Sequence, residues 1–136
     1  TASGKLVYGG GGISPDVFVP FDTTAFDRQL AKVYLTGTLN NFVYLNYLNN
    51  EAQFKSYKTP GDFEKNYSVS GTTLKDFKNY ASKDSIDFSL DSPKQRTQLE
   101  DQIKELTARQ IWRTQGFYEV SNQNDPAVQK ALQVIK

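Results

Sequence analysis

The sequence contains no histidine, no cysteine and no methionine. Without His and Cys there is no Ser–His or Cys–His catalysis, no disulfide, no Fe–S cluster and none of the usual zinc sites. Zero cysteine leaves the redox compartment open, because reducing and oxidising surroundings both tolerate it. Without Met the sequence as it stands holds no translation start. Either a single initiator residue has been trimmed or the chain is a piece of something longer. Long apolar runs are also missing, and the runs present fall far short of a membrane span. Charge of one sign is concentrated nowhere. Sixteen basic and 15 acidic residues give a net charge of +1, and segments 1–21, 22–60, 61–91 and 92–136 carry 0, +1, −2 and +2. Nucleic-acid binding needs a concentrated basic face, so no nucleic-acid partner is expected.

What is present suits one folded domain. The chain has 136 residues, enough to bury a core without covalent staples. Aromatic residues make up 13% of it, far above the level of disordered chains.

Two unequal parts follow from the local patterns. Residues 1–21 hold two short β-prone stretches, Lys5 to Tyr8 and Val17 to Val19, separated by Gly9 to Gly12 and by Pro15-Asp16. They read as a strand, a Gly-rich turn and a second strand. Such a pair is barely stable alone, so it belongs to a larger sheet elsewhere.

Residues 22–136 read as helical throughout, with about six helices in a mainly α fold. Asp22-Thr23-Thr24 precedes Phe26, Leu30, Val33 and Tyr34 on one helical face. A second helix runs from Thr36 to about Tyr57, where Tyr44, Leu45 and Leu48 widen the apolar face and imply contact from more than one side. Thr59 with Pro60 opens a short helix holding Phe63 and Tyr67. Thr73 caps a helix with Leu74, Phe77 and Ala81. Ser92-Pro93-Lys94-Gln95 opens a long helix through Leu99, Ile103, Leu106 and Ile111. Arg113 then suits the negative end of its dipole, and Gly116 its C-cap. Asp125-Pro126 starts a last helix striped with Val128, Ala131, Leu132 and Ile135.

The search for chemistry is mostly negative. Gly9 to Gly12 lead to Pro15 and a strand, whereas a phosphate-binding loop must open a helix. Asp16 reads as a turn residue rather than a ligand or base. Glu100, Asp101 and Glu105, with Lys104 and Arg109 nearby, read as a solvated charged face and not as a metal site. No Ser-x-x-Lys and no Gly-x-Ser-x-Gly occurs, so no catalytic residue is assigned. The Tyr and Phe of 42–57 and 63–80 read as core, with room for an interface where a Tyr meets solvent. No cofactor and no metal is expected.

The stretch Val7-Tyr8-Gly9-Gly10-Gly11-Gly12-Ile13-Ser14-Pro15-Asp16-Val17-Phe18-Val19-Pro20 resembles a signature of the carboxyl-terminal processing (tail-specific) serine peptidases, in the version found in Bacteroidetes envelope proteases. In that family a Gly-x-Gly-Ile-x-Pro-Asp pattern closes the protease domain and a helical region follows. The step Gly116-Phe117-Tyr118 is similar to that region too. The resemblance implies a Ser nucleophile and a Lys base upstream of the motif, and neither maps onto this chain. Gly9, Gly10, Gly11, Gly12, Ile13, Pro15 and Asp16 carry over as a structural turn only.

On that resemblance, residues 1–21 are the end of a peptidase core and residues 22–136 a C-terminal helical domain, inactive alone. The domain would pack on the core, assemble it or control access of substrate. Its partners are then the rest of the parent polypeptide and, through the peptidase part, protein substrates in the periplasm or cell envelope. Homo-oligomerisation is left open. The alternative is a helical interaction module that binds a protein partner through a Tyr-rich surface.

Overall fold

Prolines and short polar caps punctuate the chain, and the helices follow that punctuation. The computed structural model describes residues 17–19 and 28–135. Among them are seven α-helices and no strand: α1 Arg28–Leu35, α2 Thr38–Asn49, α3 Glu51–Lys55, α4 Pro60–Asn66, α5 Gly71–Lys83, α6 Pro93–Asn124 and α7 Pro126–Val134. The expected mainly α fold is what forms. The Asp22–Thr24 cap and the strand–turn–strand reading up to Asp16 lie outside the described residues.

Three helices start as the sequence predicts. Thr59 Oγ1 accepts from the Asp62 amide at 3.1 Å, and Ser92 Oγ from the Gln95 amide at 3.4 Å. Asp125 Oδ1 accepts from the amides of Ala127 and Val128 at 2.7 and 3.1 Å. Each cap satisfies donors that the first helical turn leaves orphaned, and a proline follows each without sacrificing a hydrogen bond.

Three boundaries differ from expectation. The helix expected over Thr36 to Tyr57 is two, because Asn50 leaves helical geometry at φ −125° and α3 begins after it. α5 starts at Gly71, not after Thr73; Ser70 Oγ is the cap, accepting from the Thr73 amide at 3.1 Å. Most important, the long helix does not end at Gly116. It breaks at Trp112 (φ −120°) and Arg113 (φ 61°, ψ −149°) and then resumes, so α6 is two arms, 93–111 and 114–124. Gly116 is no C-cap. It is buried in the second arm, where that arm returns past Ala108.

Two hydrophobic clusters hold the helices. The larger joins Leu30 and Val33 of α1, Phe42 and Val43 of α2, Phe77 of α5, Phe88 of the following loop, and Leu99 and Ile103 of α6. The smaller joins Phe54, Phe63, Tyr67, Ala108 and Val120, with Tyr47, Tyr57 and Trp112 packed around it. Phe63 stacks on Tyr67 at 4.7 Å and meets Trp112 edge-on at 5.7 Å. Burying each of Phe54, Phe63 and Phe77 stabilises the fold by roughly 1.5–3 kcal/mol relative to exposure. α6 spans both clusters, packing on α2 and on α4. Lys104 strengthens the second contact, its ammonium donating to the Glu64 carbonyl and lying 3.8 Å from the Glu64 carboxylate.

Candidate functional site

The turn back at Trp112 and Arg113 creates a cleft of about 880 Å³ between the two arms of α6 and the start of α7. Asp101, Gln102 and Glu105 line it from the first arm, Phe117, Tyr118 and Ser121 from the second, and Asp125 from the junction with α7. The carboxylates therefore do not form the solvated face expected of them. Glu105 is buried, at 8% exposure, and Asp101 is half-buried. Helical spacing stacks these two residues one turn apart, and it cannot foretell that a second arm covers them.

Burial pushes the Glu105 carboxyl up to about 7, and the charges of Asp101 and Asp125 add to the effect. Burial also raises the Asp101 carboxyl, while the nearby Lys104 ammonium works against it. Gln102 Nε2 donates to Glu105 Oε2 at 3.2 Å. Tyr34 carries a buried hydroxyl that has no hydrogen-bond partner among the described residues. Burial pushes that hydroxyl up to about 12, with the Glu105 charge as the second cause.

A carboxyl that titrates near neutral pH can exchange a proton, yet catalysis needs a second, positioned group. Ser121 lines the cleft without a hydrogen bond to Glu105, so the two are not an assembled nucleophile and base. Among the described residues, no three acidic side chains converge closely enough to hold a metal ion. None of the helices among them is long and apolar enough to cross a membrane.

The second feature is apolar. α7 has no buried residue, and its stripe of Val128, Ala131, Leu132 and Ile135 faces outward apart from a half-buried Val128. Among the described residues, no helix covers this stripe. Val17, Phe18 and Val19 lie beside its C-terminal half. With Ala131, Val134 and Ile135 they bound a groove of about 480 Å³. Phe18 is 78% exposed and Ile135 79%. The motif residues Gly9, Gly10, Gly11, Gly12, Ile13, Pro15 and Asp16, immediately before this segment, lie outside the described residues.

The third feature is the outer face of α2. Tyr44, Leu45 and Leu48 are exposed there, so the contact expected from a second side is not made among the described residues. α2 carries no charged residue.

The described residues thus define an all-helical domain with uncovered apolar faces and one buried carboxyl. The chain belongs to the family of unknown function DUF8443, whose profile matches residues 29–113, more than half of its length. The match runs from α1 to the break in α6. No curated protein and no solved structure matches the chain.

Proposed function

We propose that this chain is the helical C-terminal region of a serine endopeptidase resembling the carboxyl-terminal processing proteases. It is non-catalytic by itself and docks on the peptidase core through α7. The observation that carries this reading is a juxtaposition. The Gly-rich stretch that resembles the closing signature of the protease domain runs directly into Val17–Val19, and these residues line a groove with the exposed C-terminal half of α7. Contiguous exposed apolar surface of this kind marks an interaction site. Docking there would set how the core assembles or how substrate reaches it, and an envelope location goes with that parentage.

The intact mass of the native polypeptide in its source cell tests the reading. A mass several times 15.4 kDa, with a serine-reactive probe labelling the part upstream of this sequence, is the expected result. A mass near 15.4 kDa with no labelling would overturn it.

One observation favours a second reading, a module that binds a protein partner by itself. It is the uncharged outer face of α2, with Tyr44, Leu45 and Leu48 exposed in a row. The low-mass outcome would move this reading to first place. Recovery of one stoichiometric protein partner, lost on Tyr44→Ala with Leu48→Ala, would then test it.

A further inference from the structure

Beside the outer face of α2 lies a cleft of about 350 Å³ between α2 and α5. Its lining combines side-chain amides, one carboxylate and one ammonium with an aromatic wall. Asn46 and Asn49 reach it from α2, Asn50 from the break after α2, and Asp76, Asn79 and Lys83 from α5. Phe42 and Tyr80 form an aromatic wall, their rings 5.7 Å apart, and Leu45 lies at the edge.

Helical spacing explains the convergence. Asn46 and Asn49, related by i and i+3, share one face of α2, and Asn50 follows directly where the helix ends. Asp76, Asn79, Tyr80 and Lys83 repeat the pattern on α5 and span two turns, roughly 10 Å at 1.5 Å per residue. The shared core beneath, where Phe42 meets Phe77 at 5.0 Å, holds the two faces opposite each other.

The polar groups are largely unspent. Asn50 Nδ2 donates to the Asn46 carbonyl at 2.9 Å and to Asn46 Oδ1 at 3.2 Å. The side chains of Asn49, Asp76, Asn79 and Lys83 have no hydrogen-bond or ion-pair partner among the described residues. Each free amide offers two donors and an acceptor, Asp76 offers acceptors only, and Lys83 donors only.

We propose that the α2–α5 cleft binds a neutral saccharide of about two rings. A sugar hydroxyl is donor and acceptor at once, as a side-chain amide is, and a row of amides can pair with a row of hydroxyls. The apolar C–H face of a ring suits Tyr80 and Leu45. The volume lies at the small end of the range of roughly 300–1,000 Å³ typical of small-molecule sites. An extended peptide also pairs with amides, but it gains its hold from apolar pockets for alternate side chains, whereas six of the nine residues lining this cleft are amides or charged. The proposal is independent of the peptidase reading.

The test is an amide-detected NMR titration of the full 136-residue chain with cellobiose and with N,N′-diacetylchitobiose. The expected result is saturable shifts of the side-chain amides of Asn46, Asn49, Asn50 and Asn79 with at least one disaccharide, in the millimolar range or tighter. Asn49→Ala with Asn79→Ala, both exposed and unpartnered, should weaken binding about tenfold or more. Absence of saturable shifts with both sugars would overturn the proposal, as would unchanged binding by the double variant. Acetyl-tetraalanine amide is titrated in parallel. Shifts with this peptide and with neither sugar would overturn the saccharide assignment in favour of a polypeptide ligand.

Discussion

A methyl group on Gly116 would stand 2.7 Å from the carbonyl oxygen of Ala108 and equally close to Cβ of Trp112. The second arm of α6 can lie where it does only because residue 116 has no side chain. Backbone, not a flexible side-chain tip, is what a larger residue would strike. Gly116→Ala therefore forces the arms apart or bends them. A loss of about 1–3 kcal/mol is expected in urea unfolding, the range of overpacked cores, although Ala is ordinarily the better helix former.

Arg113 should respond in the opposite direction. Its φ of 61° with ψ of −149° belongs to a region that essentially only glycine adopts without strain. Arg113 is exposed and its side chain does little for packing. Arg113→Gly removes strain of about 1–3 kcal/mol and adds back roughly 0.5–1 kcal/mol of unfolded-chain entropy. A net gain of up to about 2 kcal/mol, read as a higher urea midpoint, is the expected outcome. A lower midpoint would show that the guanidinium matters more than the turn.

Stability should depend on pH through Glu105. Its folded-state pKa of about 7 lies above the ordinary 4.5, because burial disfavours the charge. The proton therefore binds the folded state more tightly. The stabilising contribution is fully present below about 4.5 and is lost as pH rises through 7. Full linkage over that interval is roughly 3 kcal/mol; solvent reaching the open cleft reduces it to about 1–2 kcal/mol. Thermal melts should thus be higher near pH 5 than near pH 8. Glu105→Gln should flatten that dependence.

The helices of the chain interior were legible in the sequence because their signals are local. Thr59, Ser92 and Asp125 sit immediately before prolines, and each caps as expected. The reversal in α6 was not legible. Residues 114–124 continue as good helix, and the break depends on an arginine at positive φ, which no propensity foretells. A buried Glu105 was missed for the same reason, since its cover comes from the returning arm. The stripe of α7 was seen correctly as a stripe, but amphipathy says only that a face needs cover. It does not say that this chain supplies it. The Gly-rich motif rests on the sequence alone.

The exposed C-terminal end of α7, which lines the groove with Val17–Val19, gives a further test. Val134→Asp with Ile135→Asp changes residues that are 56% and 79% exposed. The stability of the isolated chain should shift by no more than about 0.5 kcal/mol, the usual surface range. In a parent polypeptide the same pair should release the helical region, seen as faster proteolysis between the peptidase core and α1. A large destabilisation of the isolated chain would mean that α7 is already fully used at home.

The single tryptophan offers a way to watch one half of the molecule. Trp112 stands at the break in α6, edge-on to Phe63 and packed against the smaller cluster rather than the larger one. Its emission therefore senses the α3–α4 side, whereas far-ultraviolet dichroism sums every helix. If the two signals fall together with urea, the clusters melt as one cooperative unit. If the emission changes first, the hairpin opens while α1, α2 and α5 persist, and the chain has two foldons divided along a single helix.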